Sequence, residues 1–185
     1  EAEEKNRQWP VSPKDIAAVV LSHAHIDHSG RLPLLVKEGF DGPVYATPAT
    51  RDLCAIMLPD SAHVQEEDVY YVSKRRKRKG LPPIEPLYDY EDALAAVTLI
   101  HSIPYGRWFP VVPGLLASFS EAGHMLGSAG IRLAFGKRNG DTPSLFYSGD
   151  MGRPDKPILR DPAPLPEDDT ILMESTYGAR INEAV

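Results

Sequence analysis

The chain has 185 residues, of which 42% are apolar and 25% charged, with a formal net charge of −6. That is enough apolar residue for one real core and not for two, and the acidic balance excludes a generally basic, nucleic-acid-coated surface, so any polyanion partner must be held by a local feature. No run approaches the roughly 20 apolar residues of a membrane helix, and "EAEEKNRQWP" lacks the order of a secretory signal; the expectation is a cytoplasmic protein with no membrane partner. The one cysteine, Cys54, reads as a buried filler, since alone it forms neither an internal disulfide nor a Cys-based metal site. The chain starts without Met and stops a few residues after an apparent strand, and is expected to be a piece of a longer protein.

Ile16 to Leu21 is short, β-branched and apolar, and predicts a buried strand. "SHAHIDHSG" (22–30) then lies in the loop at its carboxyl end. A helix is expected from about Ser29 to Glu38, stopped by Gly39. "GPVYAT" is the next strand, and Thr47-Pro48 supplies an N-cap and first helical residue for a helix carrying Leu53, Ile56 and Met57. A second, charged helix is predicted from Asp60 or Ser61, acidic at Glu66, Glu67 and Asp68, basic from Lys74 to Lys79, and ended by Gly80. A proline-stiffened connection and a short helix follow. From Val97 onward the pattern turns to strands: "VTLIHSI", "GLLASFSEAG", "AGIRLAFG", "SLFYSGD" and "DTILMEST". "KRNGDTP" signals a hairpin centred on Asn139 and Gly140. Strand-helix alternation followed by antiparallel strands gives an α/β (α+β) fold.

Imidazole and carboxylate are the ligands that zinc and similar metals prefer, and a catalytic site needs about three of them plus an open position. His23 and His25, two apart on an extended loop, point the same way and can share one metal; Asp27 and His28, where the loop turns into a helix, can face a second. A lone histidine is more often structural, but four potential ligands within six positions are not explained that way. His124 in "EAGHMLGSAG" and Asp150 in "LFYSGDMGRP" sit at strand ends among glycines and can complete the shell. A carboxylate has two oxygens and can bridge two metals.

His23-x-His25-x-Asp27-His28, then His124 in "AGHMLGSA" and Asp150 in "YSGD", resembles the ligand series of the metallo-β-lactamase fold. "DSAHVQEEDVYYVSKRRKRKGLPPIEPLY" is similar to the helical insertion of its β-CASP branch, the RNA-processing nucleases that include ribonuclease J and the cleavage and polyadenylation endonuclease. "MESTYG" resembles that branch's acidic motif, with Glu174 in the acidic position.

The resemblance implies a partial metallo-β-lactamase αββα sandwich over residues 1–178, lacking the first strands and the C-terminal part, with a helical insertion at 60–96 and the start of a β-CASP domain at 179–185. It implies two zinc ions in the intact protein, with iron or manganese left open: His23, His25 and His124 on one, Asp27 and His28 on the other, Asp150 bridging. It implies hydrolysis of an RNA phosphodiester, with Asp27 and Glu174 the catalytic acids and Glu174 supporting a proton-donating histidine rather than a metal. The family's remaining histidines come from C-terminal segments this chain does not contain, so the piece is expected to be partly or wholly metal-free and inactive alone. His63 and His101 read as structural or surface residues. A homodimer is left open for the intact protein, as is the choice between endo- and exonucleolytic cutting. Two alternatives stand beside the nuclease: a thioester or lactone hydrolase of the same fold, and a non-catalytic scaffold subunit. Lys74 to Lys79 reads either as a solvated helix end or as an RNA-guiding patch, with Tyr70, Tyr71 and Tyr88 to Tyr90 candidates for base stacking.

Overall fold

The computed structural model describes residues 5–136, 143–175 and 178; the Asn139-Gly140 turn and segment 179–185 lie outside these. Among the described residues there are two sheets. The smaller is parallel, in the order β1 (Val19–Val20), β2 (Val44–Ala46), β3 (Ile100–Ser102). The larger runs β4 (Phe109–Val112), β5 (Leu115–Glu121), β6 (Ala129–Phe135), β7 (Ser144–Tyr147), β8 (Thr170–Leu172). Its pairs are antiparallel except β7 with β8, which run parallel and so carry their carboxyl ends to the same edge. The helices are α1 (Ile26–Ser29), α2 (Leu32–Lys37), α3 (Pro48–Lys77) and α4 (Tyr90–Thr98).

Each side of the small sheet buries a different set of side chains. Toward the helices, Leu34, Phe40, Val44, Cys54, Leu58, Tyr88, Ala93 and Ala96 form one core. Toward the large sheet, Val20 and Tyr45 pack on Phe109, Phe119 and Ile131, with the Tyr45 and Phe109 ring centroids 4.9 Å apart. The result is a helix, sheet, sheet layering with an apolar layer at each junction. Burial raises the Cys54 thiol to about 11, which leaves it an inert filler as expected.

Three elements differ from the sequence expectation. The single helix read over Ser29–Glu38 is two short ones, α1 and α2. The two helices expected from Thr47 to Gly80 are one helix, α3, of 30 residues with Pro59 inside it. Proline forfeits one backbone hydrogen bond, but Leu58, Pro59 and Ala62 are buried in the first core, and that packing carries the helix through. Ser61, read as a cap, instead shares a hydrogen bond with the Tyr88 hydroxyl at 3.0 Å, and His63 is mid-helix, 3.6 Å from Glu67. Strand β4 had no counterpart in the prediction. Segment 60–96 divides: Tyr88, Ala93 and Ala96 belong to the core, whereas beyond Ala62 no residue of α3 is buried.

The start of α3 is tied to the loop that carries His124. Thr47 accepts a hydrogen bond from Thr50 N at 3.3 Å, and the Thr47 and Thr50 hydroxyls both reach Gly127 O, at 2.6 and 2.8 Å. Thr47→Ala removes the cap and one of these tethers, both buried, and should lower unfolding free energy by about 1–2 kcal/mol. Urea denaturation reads the change; a loss below a few tenths of a kcal/mol would show the cap to be idle.

Candidate metal site

The carboxyl ends of β1, β5, β7 and β8 meet at one edge of the two sheets, and each delivers part of the site. After β1 the chain runs through Ser22 to His25 and turns into α1, whose first turn holds Asp27 and His28. After β5, Gly123 adopts a left-handed φ of 67° and turns the loop back; Ser128 Oγ accepts from His124 N at 3.0 Å and from Met125 N at 3.2 Å. After β7 comes Asp150, and after β8 comes Glu174, whose N donates to Ser148 Oγ at 3.2 Å. Backbone bonds stitch these loops together, with Ala129 N donating to Ser22 O at 2.9 Å and Gly152 N to Ala122 O at 2.8 Å.

His25 Nδ1 lies 3.1 Å from His23 Nε2 and 3.0 Å from His124 Nε2. Asp150 Oδ2 is 3.3 Å from His124 Nε2 and 3.9 Å from His23 Nε2. Three imidazole nitrogens and one carboxylate oxygen thus converge on a common point. A cation bound tetrahedrally at about 2.0–2.1 Å holds its ligand atoms about 3.3 Å apart, so the donor set and its spacing both fit a metal ion. The other oxygen of Asp150, Oδ1, faces away from this group and lies 3.6 Å from His28 Nε2. Around His28, Asp27 Oδ2 is 3.7 Å from Nε2, and Glu174 Oε1 is 3.7 Å from Nδ1. His28, Asp150 and Glu174 form a second group close enough to hold an ion.

Environment keeps these imidazoles ready to ligate. His23 is fully buried, and burial foremost, with His28 and His25 as charged neighbours, pushes its pKa down to about 4. It is therefore neutral at pH 7, with Nδ1 bonded to Ser22 Oγ at 3.1 Å and Nε2 turned to the cluster. Burial is also the largest cause of the lowered His124 pKa.

Of the predicted ligands, His23, His25, His124 and Asp150 fall in the first group and His28 and Asp150 in the second, which Glu174 joins in place of Asp27. Asp27 is the most open, its side chain 76% exposed at the mouth. Glu174 lies beside His28 and close to Asp150, and the Tyr147 hydroxyl donates to it. That contact, and burial before it, raise the Tyr147 pKa. Neither Tyr147 nor Ser22 was picked out from the sequence. The only signal was their position, Tyr147 three residues before Asp150 and Ser22 directly before His23. His63 and His101 are in neither group.

The chain belongs to the metallo-beta-lactamase superfamily, whose family model matches residues 1–176. Among characterised proteins it is similar to ribonuclease TTHA0252 of Thermus thermophilus, with 39% identity over 91% of this chain and 33% of that protein. It is also similar to the transcription termination factor FttA of Methanosarcina mazei, 36% identical over 88% of this chain and 23% of that one, and to FttA of Methanocaldococcus jannaschii, 34% identical over 91% and 24%. The chain thus spans about a quarter to a third of the length of these relatives. No helix among the described residues is long and apolar enough to cross a membrane.

Proposed function

We propose that this chain is the metal-holding part of a β-CASP-type ribonuclease, spanning the metallo-β-lactamase domain over 1–178 with a helical insertion in 60–96. His23, His25, His124 and Asp150 would hold one zinc ion, and His28, Asp27 and Asp150 a second. The observation that carries the reading is the carboxylate of Asp150, which turns one oxygen to each group. The likeness to a protein named as a ribonuclease supports RNA as the substrate. Two zinc ions bound there would supply Lewis-acid polarisation of a phosphodiester and activation of water.

The chain's own residues prepare that chemistry. His23, buried and neutral, presents Nε2 with its lone pair free. Glu174, 3.7 Å from Nδ1 of His28 and close to Asp150, orients the ring. Tyr147 fixes Glu174 by donating its hydroxyl. Asp27 at the mouth has an oxygen free in solvent to take a proton from water as substrate enters.

The test uses the complete protein that carries this domain, incubated with labelled single-stranded RNA and separately with a thioester. Cleavage of RNA that a chelator abolishes and added zinc restores is expected. Thioester hydrolysis with intact RNA would replace the nuclease by the alternative hydrolase, and no hydrolysis of either would leave a scaffold.

A further inference from the structure

Helix α3 is longer than its core contacts require. Its buried residues end at Ala62, and its last four turns run on to the uninterrupted cations Lys74, Arg75, Arg76, Lys77, Arg78 and Lys79. Among the described residues none of these six pairs with a carboxylate. The following connection folds back along the helix and is pinned there: Arg76 Nε donates to Pro82 O at 2.7 Å, and Ile84 N to Ser73 Oγ at 3.1 Å.

Between helix and connection lies an open groove of about 690 Å³. Val69, Leu81 and Pro83 give it an apolar floor; Lys74 and Lys77 stand at its edge, one helical turn apart. Tyr70 is 62% exposed beside it, with the Lys74 ammonium 6.0 Å from its ring centroid. Tyr88, by contrast, is 1% exposed and cannot stack on a base.

We infer that this groove is a docking site for single-stranded RNA, with a base against Tyr70, Leu81 and Pro83 and the flanking phosphates on Lys74 and Lys77. The inference rests on the ribonuclease reading above and extends it to a second contact outside the metal site. Charge complementarity commits the surface to a polyanion: six adjacent cations project from a chain whose net charge is −6. The helix C-terminus opposes them with only about half a negative charge. The aromatic ring among the cations favours a strand with unpaired bases over a duplex, whose bases are already stacked. A membrane-surface helix would instead bury a broad apolar face, and here the exposed apolar residues are Val64, Tyr70, Tyr71, Val72 and Leu81 interspersed with charge.

The experiment compares the complete protein with Lys74→Ala/Lys77→Ala and Tyr70→Ala variants. Arg76 is left alone because it pins the connection. Binding of fluorescent single-stranded RNA is followed by anisotropy across a salt series, beside duplex RNA and phosphatidylserine vesicles. Loss of two phosphate contacts should make the log–log salt slope shallower by about 1.4. Loss of the ring should weaken single-strand binding by about tenfold at unchanged slope. Hydrolysis of bis(p-nitrophenyl) phosphate, too small to span groove and metal site, should match wild type in both variants. On the unmodified protein, RNA should shield Lys74 and Lys77, but not Lys37, from acetylation.

Wild-type slopes and affinities in the variants, with no shielding, overturn the groove and leave the nuclease standing if RNA is still cut. Failure of the wild type to bind RNA at all overturns both. Equal loss on duplex and single strand overturns the stacking role, and loss of vesicle binding with RNA binding intact assigns the surface to a membrane.

Discussion

Asp150→Ala will empty both metal positions together, whereas loss of any single imidazole will weaken one group more than the other. Oδ2 belongs to the His23, His25 and His124 group and Oδ1 to the His28 group, so one truncation removes a donor from each. It also leaves three close nitrogen donors without the anion that offsets a divalent cation. Loss of a partner behind a ligand already costs about 10–100-fold in metal affinity, so loss of a bridging ligand should cost more than about 100-fold. RNA cleavage should fall by at least the 10²–10³ or so that accompanies loss of one transition-state contact. Asp150→Asn, which keeps an oxygen but not the charge, should fall between. Metal per chain measured by elemental analysis after dialysis is the readout, and two ions retained by Asp150→Ala would remove Asp150 from the bridge.

Gly152→Ala should be as damaging without touching a ligand. A Cβ at that position would lie 1.8 Å from Gly123 O and 2.7 Å from His124 N, and backbone on both sides leaves no flexible side chain to yield. The Gly152 N to Ala122 O bond holds the strands of chain together at that point. To admit a methyl group the loop bearing His124 must retreat, breaking that bond and displacing the imidazole. Overpacking of this kind costs about 1–3 kcal/mol and here should reach the upper end, a fall in Tm of about 6–12 °C. Calorimetry and metal content together decide it. A variant that melts like wild type and binds the same metal would mean that the 122–128 loop is not the fixed support described here.

How much of this was legible in the sequence depended on whether a signal was local. His23, His25, Asp27 and His28 lie within six residues after an apolar run, and an extended loop turning into a helix orients them with little help from the rest of the chain. His124 and Asp150 could be read as partners only because glycines flank them at strand ends and the motif order was known. Ser22 and Tyr147 act through a hydroxyl whose partner is chosen by tertiary approach, and composition marks neither. The break expected in α3 came from the cap-like Asp60 and Ser61, local signals overridden by burial of Leu58, Pro59 and Ala62. Strand β4 was hidden by Pro110 and Pro113, residues that demote a strand; it survives because it is the sheet's outermost strand, where a missing N–H leaves no partner unsatisfied.

The parallel pairing of β7 with β8 reaches beyond the sheet itself. Ser148 N donates to Leu172 O at 2.9 Å, and Glu174 follows two residues later, so the acid behind His28 arrives only when the last described strand has docked. Strand β8 is exposed along its whole length, and side-chain bonds hold it at both ends: Arg132 Nε donates to Asp168 Oδ1 at 2.7 Å and Ser144 N to Asp169 Oδ2 at 2.7 Å before it, and the Tyr147 hydroxyl to Glu174 after it. Fraying of that one ribbon would withdraw Glu174 from His28 while His23, His25, His124 and the Asp150 oxygen beside them stay in register. On the proposed reading, the His28 side of the centre therefore depends on a strand that the His23, His25 and His124 side does not need.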